Sequence, residues 1–141
     1  MLIRSKKLTK EKRDNMIDFQ NKTVFKLAPI KKPDVYIQEV APLLISGENV
    51  LSAYSALRDY VVFTNKRIIA VNVQGLTGKK KDFSSIPYSK VNAFSVETAG
   101  TFDMDSELEL YLSGLGKVKF EFTGASNIVE IGKLIGEFAL K

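Results

Sequence analysis

The run Gly75–Leu76–Thr77–Gly78–Lys79–Lys80–Lys81 holds the residues best suited to gripping an anion. Backbone N–H donors in a glycine-rich turn, followed by three lysines, could cradle a phosphate. Gly75, Thr77, Gly78, Lys79, Lys80 and Lys81 are therefore the candidate anion contacts. The run is not a Walker A loop, because two residues separate the glycines and no Ser or Thr follows Lys79. The plainer reading is a β-turn with glycines at positive φ, leading into a solvated strand start.

Asp103, Asp105, Glu107 and Glu109 alternate and could converge on a hard cation or do acid–base work. Counted from Asp103, however, the place where an EF-hand loop needs glycine holds Leu108. Alternation in a strand puts Glu107 and Glu109 on one face and the leucines on the other, so the plainer reading is the wetted face of a half-buried strand, preceded by an acidic loop. The chain of 141 residues has no Cys and no His. That removes thiol nucleophiles, imidazole bases, His/Cys zinc sites and disulfides. No Ser, Lys or carboxylate stands in a recognisable catalytic setting, so no catalytic, cofactor or metal residue is assigned and a non-enzymatic protein is expected.

Apolar residues suggest a second kind of site. Val61, Val62, Phe63, Ile68 and Ile69 are apolar at consecutive positions, whereas a strand of a small isolated barrel should wet one face. Either the helix predicted over 34–44 covers the outer face, or a second subunit does. Gly132 and Gly136 lie four apart on a predicted helix, and each costs about 1 kcal/mol relative to Ala unless another backbone approaches closely, which is either the barrel of the same chain or a second subunit. Val61, Phe63, Ile68, Gly132 and Gly136 are accordingly the candidate self-association surface.

The elements that must position these residues follow from periodicity. Asp34 reads as an N-cap, with Val35, Ile37, Val40, Leu43 and Leu44 behind it at helical spacing, and Pro42 ends or kinks that helix near Ala41. From Glu48 to Phe122 the texture is β. Strands are predicted over 49–56, 60–64, 67–73, 79–86, 91–98, 107–113 and 117–122. Asn127 then opens an amphipathic helix carrying Ile128, Ile131, Leu134, Ile135 and Phe138 on one face. One short helix, seven antiparallel strands and a closing helix predict a mainly β fold, a small barrel or sandwich capped by its last helix.

The formal net charge is +5, but residues 1–33 carry +7 and residues 34–141 carry −2. Residues 1–33 have weak periodicity and read as a basic, loosely attached leader to a domain over 34–141. No apolar run is long enough for a spanning helix, and polar residues follow the first charges where a signal peptide would be apolar. A cytoplasmic address is the expectation.

Several stretches resemble the bacterial pleckstrin-homology-like domain family. Tyr60–Val61–Val62–Phe63–Thr64–Asn65–Lys66–Arg67–Ile68–Ile69 is similar to its "FT–KR" hairpin. Gln74–Gly75–Leu76–Thr77–Gly78–Lys79–Lys80 resembles its QGLTGKK turn. Ser85–Ile86–Pro87–Tyr88, the stretch from Phe94 to Gly100 and the stretch from Phe102 to Leu108 resemble family stretches in the same order. The resemblance implies seven strands capped by a C-terminal helix, in agreement with the element count. Some members assemble into rings, so it also implies self-association. Met16–Ile17–Asp18–Phe19 resembles the way members begin, which makes Met16 an alternative start. The expected function is a binding or scaffold module that contacts protein and assembles as a homo-oligomer, with no small-molecule substrate. The alternative is a peripheral anion binder contacting phospholipid or nucleic acid through the leader and Lys79–Lys81.

Overall fold

A computed structural model describes residues 24–141. The alternative start at Met16 and the first 23 residues of the expected leader lie outside the described residues. Eight strands form one sheet: β1 Val24–Pro29, β2 Val50–Ala56, β3 Asp59–Thr64, β4 Arg67–Gln74, β5 Lys80–Pro87, β6 Val91–Glu97, β7 Ser106–Leu112 and β8 Gly116–Phe122. Their spatial order is β5-β4-β3-β2-β1-β8-β7-β6. Helix α1 spans Asp34–Val40, and helix α2 spans Ile128–Ala139.

The seven strands read from alternation are present, each within two residues of its predicted ends. The eighth, β1, falls inside the expected leader. It pairs antiparallel with β2 through Ala28↔Ser55 and parallel with β8 through Leu27↔Phe122, joining the two halves of the sheet. A leader ending at residue 33 therefore reaches too far, and the sheet is not wholly antiparallel. Lys26 holds a φ of 62° where the β1–β8 register shifts, so β1 has no clean alternation to read.

Alternation sorts the strands onto a common core. Val61, Phe63, Ile68 and Ala70 face inward with Leu108, Leu110, Val118, Phe120 and Phe122. Ile128, Ile131 and Ile135 of α2 close over them. Asn127 caps this helix as expected, its Oδ1 accepting from the Glu130 N–H at 3.2 Å. The Tyr88 and Phe138 rings stack with centroids 5.5 Å apart, tying α2 to the turn between β5 and β6.

The opposite faces of β3 and β4 are also buried. Tyr60, Val62, Ile69 and Val71 form a second cluster with Val40, and Tyr36, Leu44 and Ile30 pack against it. The helix over 34–40 and the chain around it are thus the cover that two-sided apolar strands require. Asp34 is the first residue of α1 rather than its cap: Pro33 holds the N-cap position, with no side-chain hydrogen bond. The helix ends at Val40, and a 3-10 turn over Ala41–Leu43 accommodates Pro42.

Candidate functional site

The "FT–KR" hairpin proves to be a clamp. Glu48, 6% exposed, receives four donors. Its Oε1 accepts from the Ile45 N–H at 3.1 Å and Arg67 Nη2 at 3.0 Å. Its Oε2 accepts from Thr64 Oγ1 at 2.7 Å and Arg67 Nε at 2.9 Å. Burial alone would push the Glu48 carboxyl up; the hydrogen bonds from Arg67, Thr64 and the Ile45 amide outweigh it and hold the group below the usual carboxylate range. Arg67 also donates to the Leu43 carbonyl at 2.6 Å and to Ser85 Oγ at 3.0 Å. Thr64 Oγ1 accepts from the Lys66 and Arg67 amides, each at 3.0 Å, which fixes the turn. All of these groups are spent on one another.

Val61, Phe63 and Ile68, expected on a self-association surface, have at most 1% exposure and lie in the core. They offer nothing to a second copy. The two helix glycines face β6 of the same chain. A Cβ on Gly132 would stand 2.9 Å from Val96 Cγ1, and one on Gly136 would stand 3.8 Å from Phe94 Cζ. The close approach that justifies glycine at these positions is that of α2 onto the sheet.

The anion candidates divide. Gly75 and Gly78 hold φ of 75° and 69°, as a tight turn requires. Thr77 Oγ1 accepts from the Lys79 N–H at 3.4 Å. Lys81 is half-buried and pairs with Glu39 at 3.3 Å, so it belongs to the α1 contact rather than to a free cation patch. Lys79 and Lys80 are exposed. A third cation, Arg58, joins them from the β2–β3 turn, its Nη2 donating to the Gly75 carbonyl. Sequence spacing could not find Arg58, because the two turns meet only through the folding of β2 to β5. The apolar tips of these turns, Leu57 and Leu76, belong to no periodic pattern and stand fully exposed.

The acidic alternation has its own partners. Lys119 lies 3.7 Å from Glu107 and 3.3 Å from Glu109, and Lys117 lies 3.7 Å from Glu109. This is a cross-strand charge ladder on the outer face of β7 and β8. Beyond it, burial pushes the Glu121 carboxyl up, and Asp105 beside it adds to that.

The two ends of the sheet differ. β5 carries Lys80, Lys81, Asp82 and Pro87, the residue types that guard an edge. β6 reads Val-Asn-Ala-Phe-Ser-Val-Glu, with no Lys, no Pro and a single charge at its end. Phe94 and Val96 turn toward α2, while Ala93, Ser95 and Glu97 are exposed. The loop after β6 is exposed from Thr98 to Met104 and displays Phe102 at 99% exposure. Among the described residues, no strand pairs with the outer edge of β6. A groove of about 190 Å³ lies over the paired strands β6 and β7, lined by Ala93, Ser95, Glu109, Tyr111 and Lys117 among others. Another, of about 340 Å³, lies between Leu51 and Tyr54 of β2 and Ile131 and Leu134 of α2. No helix among the described residues is long and apolar enough to cross a membrane.

Comparison with known proteins agrees with this architecture. The bacterial PH domain family matches residues 18–139. The chain is 48% identical over 100 residues to the uncharacterized protein YjqA of Bacillus subtilis, covering 70% of this chain and 80% of that one. It resembles the crystal structure of a protein with a pleckstrin-homology domain from Shewanella loihica, with a TM-score of 0.71 and 41% identity over 82% of this chain and 98% of the other. A pleckstrin homology domain from Shewanella amazonensis gives a TM-score of 0.61 and 43% identity, over 77% and 88% of the two chains. The match begins before β1 and ends within α2, so it takes in the whole described sheet, and this chain belongs to the bacterial PH domain family.

Proposed function

We propose that this domain acts by binding protein, a second copy of itself first, along the outer edge of β6. The observation that carries the reading is the contrast between the sheet's two ends. Lysine and proline guard β5, while β6 is uncharged until Glu97 and is followed by the exposed Phe102. An unguarded edge presents backbone donors and acceptors to an incoming strand, and exposed side chains beside it supply specificity. β6 against β6 closes as a twofold dimer. A ring needs a head-to-tail contact, with β6 of one copy meeting a different face of the next. This reading does not depend on Val61, Phe63 or Ile68, and it requires no catalytic group.

Light scattering on the full chain tests it. The expected mass is a multiple of 15.7 kDa, and the multiple separates a dimer from a ring. Ala93→Lys with Ser95→Lys puts two cations on exposed β6 positions and should return the protein to monomer with its fold intact. A monomeric wild type at high micromolar concentration would sink the reading, as would a double variant that stays assembled.

A further inference from the structure

β1 fills only part of its lane in the sheet. It pairs with β2 through Ala28↔Ser55 and Pro29↔Tyr54, and the Ile30 N–H donates to the Ala53 carbonyl at 3.1 Å. The chain then leaves for α1, which begins at Asp34. Among the described residues, no strand lies beside residues 50–52 on the side away from β3. The β2–β3 register shifts between Val50 and Ser52 and leaves Leu51 outside it. Shifts of this kind re-aim a side chain. Leu51 lines the groove between β2 and α2 and is 49% exposed, although it is apolar.

α2 forms the other wall. Gly132 and Gly136 hold the helix against β6, which leaves Ile131 and Leu134 facing β2 across the groove. Tyr54 and Ile131 are buried beneath it. Glu130 and Lys133 stand exposed at its rim, about one helical turn apart. Neither side chain has an ion pair among the described residues.

The groove's shape and charge set the class of its occupant. An open lane that continues β1 along the edge of β2 suits extended backbone, which β1 itself supplies up to Ile30. The groove of about 340 Å³ lies at the small end of ligand sites and holds a short segment. Each partner of a stable dimer buries roughly 800 Å², so a second copy needs far more surface than this. The rim charges are one of each sign, which gives a polyanion or an anionic bilayer no hold. We propose that the β2–α2 groove binds an extended segment of a different protein. The segment lies beside residues 50–52 as an added strand and sets an apolar side chain between Leu51 and Leu134. It carries a basic residue for Glu130 and an acidic one for Lys133. This groove is separate from the outer edge of β6, and neither reading requires the other.

Selection from a library of capped nonapeptides, each with a central leucine and random flanks, tests this on the full chain. Selected peptides should share a basic and an acidic residue about the leucine, and should shift the amide resonances of residues 51–54 and 130–134. Leu51→Glu should weaken the tightest peptide by about tenfold or more, because an apolar wall becomes charged. Its thermal midpoint should stay near that of wild type, since half of the Leu51 surface is already in water. Lys133→Glu should exchange the preferred acidic residue for a basic one, a change that a merely structural lysine would not produce. That exchange decides the matter even if Leu51→Glu fails to fold. Ala93→Lys with Ser95→Lys, which alters the β6 edge, should leave peptide binding as in wild type. The proposal fails if selection yields no shared pattern, if the peptides shift β6 instead, or if a folded Leu51→Glu binds like wild type. It fails equally if raising the protein concentration alone, without peptide, shifts residues 51–54, because the occupant is then a second copy.

Discussion

At the Thr64–Arg67 end of the β3–β4 hairpin, a carboxylate with no exposed side-chain surface is met by four hydrogen-bond donors. At the opposite end of the same strands, two leucine side chains stand in water, one on a left-handed backbone. The sequence invests equally distinctive residues at both ends, but the physics differs. The first end satisfies every partner internally and leaves nothing over for a ligand. The second satisfies only its turn geometry and leaves apolar area and charge unspent. Motif strength and functional availability are therefore separate properties here: the most recognisable hairpin in the chain is architecture.

The sharpest way to break this comparison is Arg67→Ala. It leaves Glu48 buried without its main partner and should cost about 3–5 kcal/mol, read as a lower urea midpoint at unchanged slope. A loss under about 0.5 kcal/mol would mean the clamp is not holding the fold.

Acid should weaken the same end. Because the folded Glu48 carboxyl is held below its ordinary value, its contribution is present above the unfolded value, about pH 4.3, and disappears as pH falls through the lower folded value. Glu121 works in the other direction. Its carboxyl is raised in the fold, so it costs stability near neutrality and releases that cost as it protonates. Urea titrations between about pH 6 and about pH 3.5 should show a fall in wild type that is steeper in Glu121→Gln and shallower in Glu48→Gln.

The smallest effects belong to the open end. Leu57→Asn should raise stability by about 0.5 kcal/mol by relieving the left-handed leucine, and Leu76→Asn should stay within about 0.5 kcal/mol of wild type. A large loss at either tip would give these leucines a structural duty and erase the contrast.

Much of the fold was legible because half-buried strands write their faces into the sequence. Glu107 to Leu112 alternates acid or tyrosine with leucine, and the structure buries each leucine. Asn127 and the isoleucines of α2 were equally plain. β1 was not, because its place depends on partners nearly thirty residues later in β2 and about ninety-five later in β8. A six-residue strand with Lys26 in a left-handed conformation has no local signature strong enough to show this. The candidate site was half legible. The glycines at 75 and 78 announced a turn, and Lys79 and Lys80 announced charge. Periodicity could not tell that Lys81 would pair with Glu39, nor that Arg58 would cross from another turn. The apolar run at 61–63 correctly required a cover on both sides, and α1 with its flanking chain supplies the one that a subunit might have. The unguarded character of β6 became meaningful only when the sheet order placed that strand at an end.

Backbone amide hydrogen exchange, measured residue by residue at low and high protein concentration, tests the central claim most directly. The account predicts that raising the concentration slows exchange along β6, Val91–Glu97, and around Phe102, and leaves β5, Lys80–Pro87, unchanged. Protection that rises on β5 instead, or a β6 edge that exchanges at the same rate at every concentration, would contradict it.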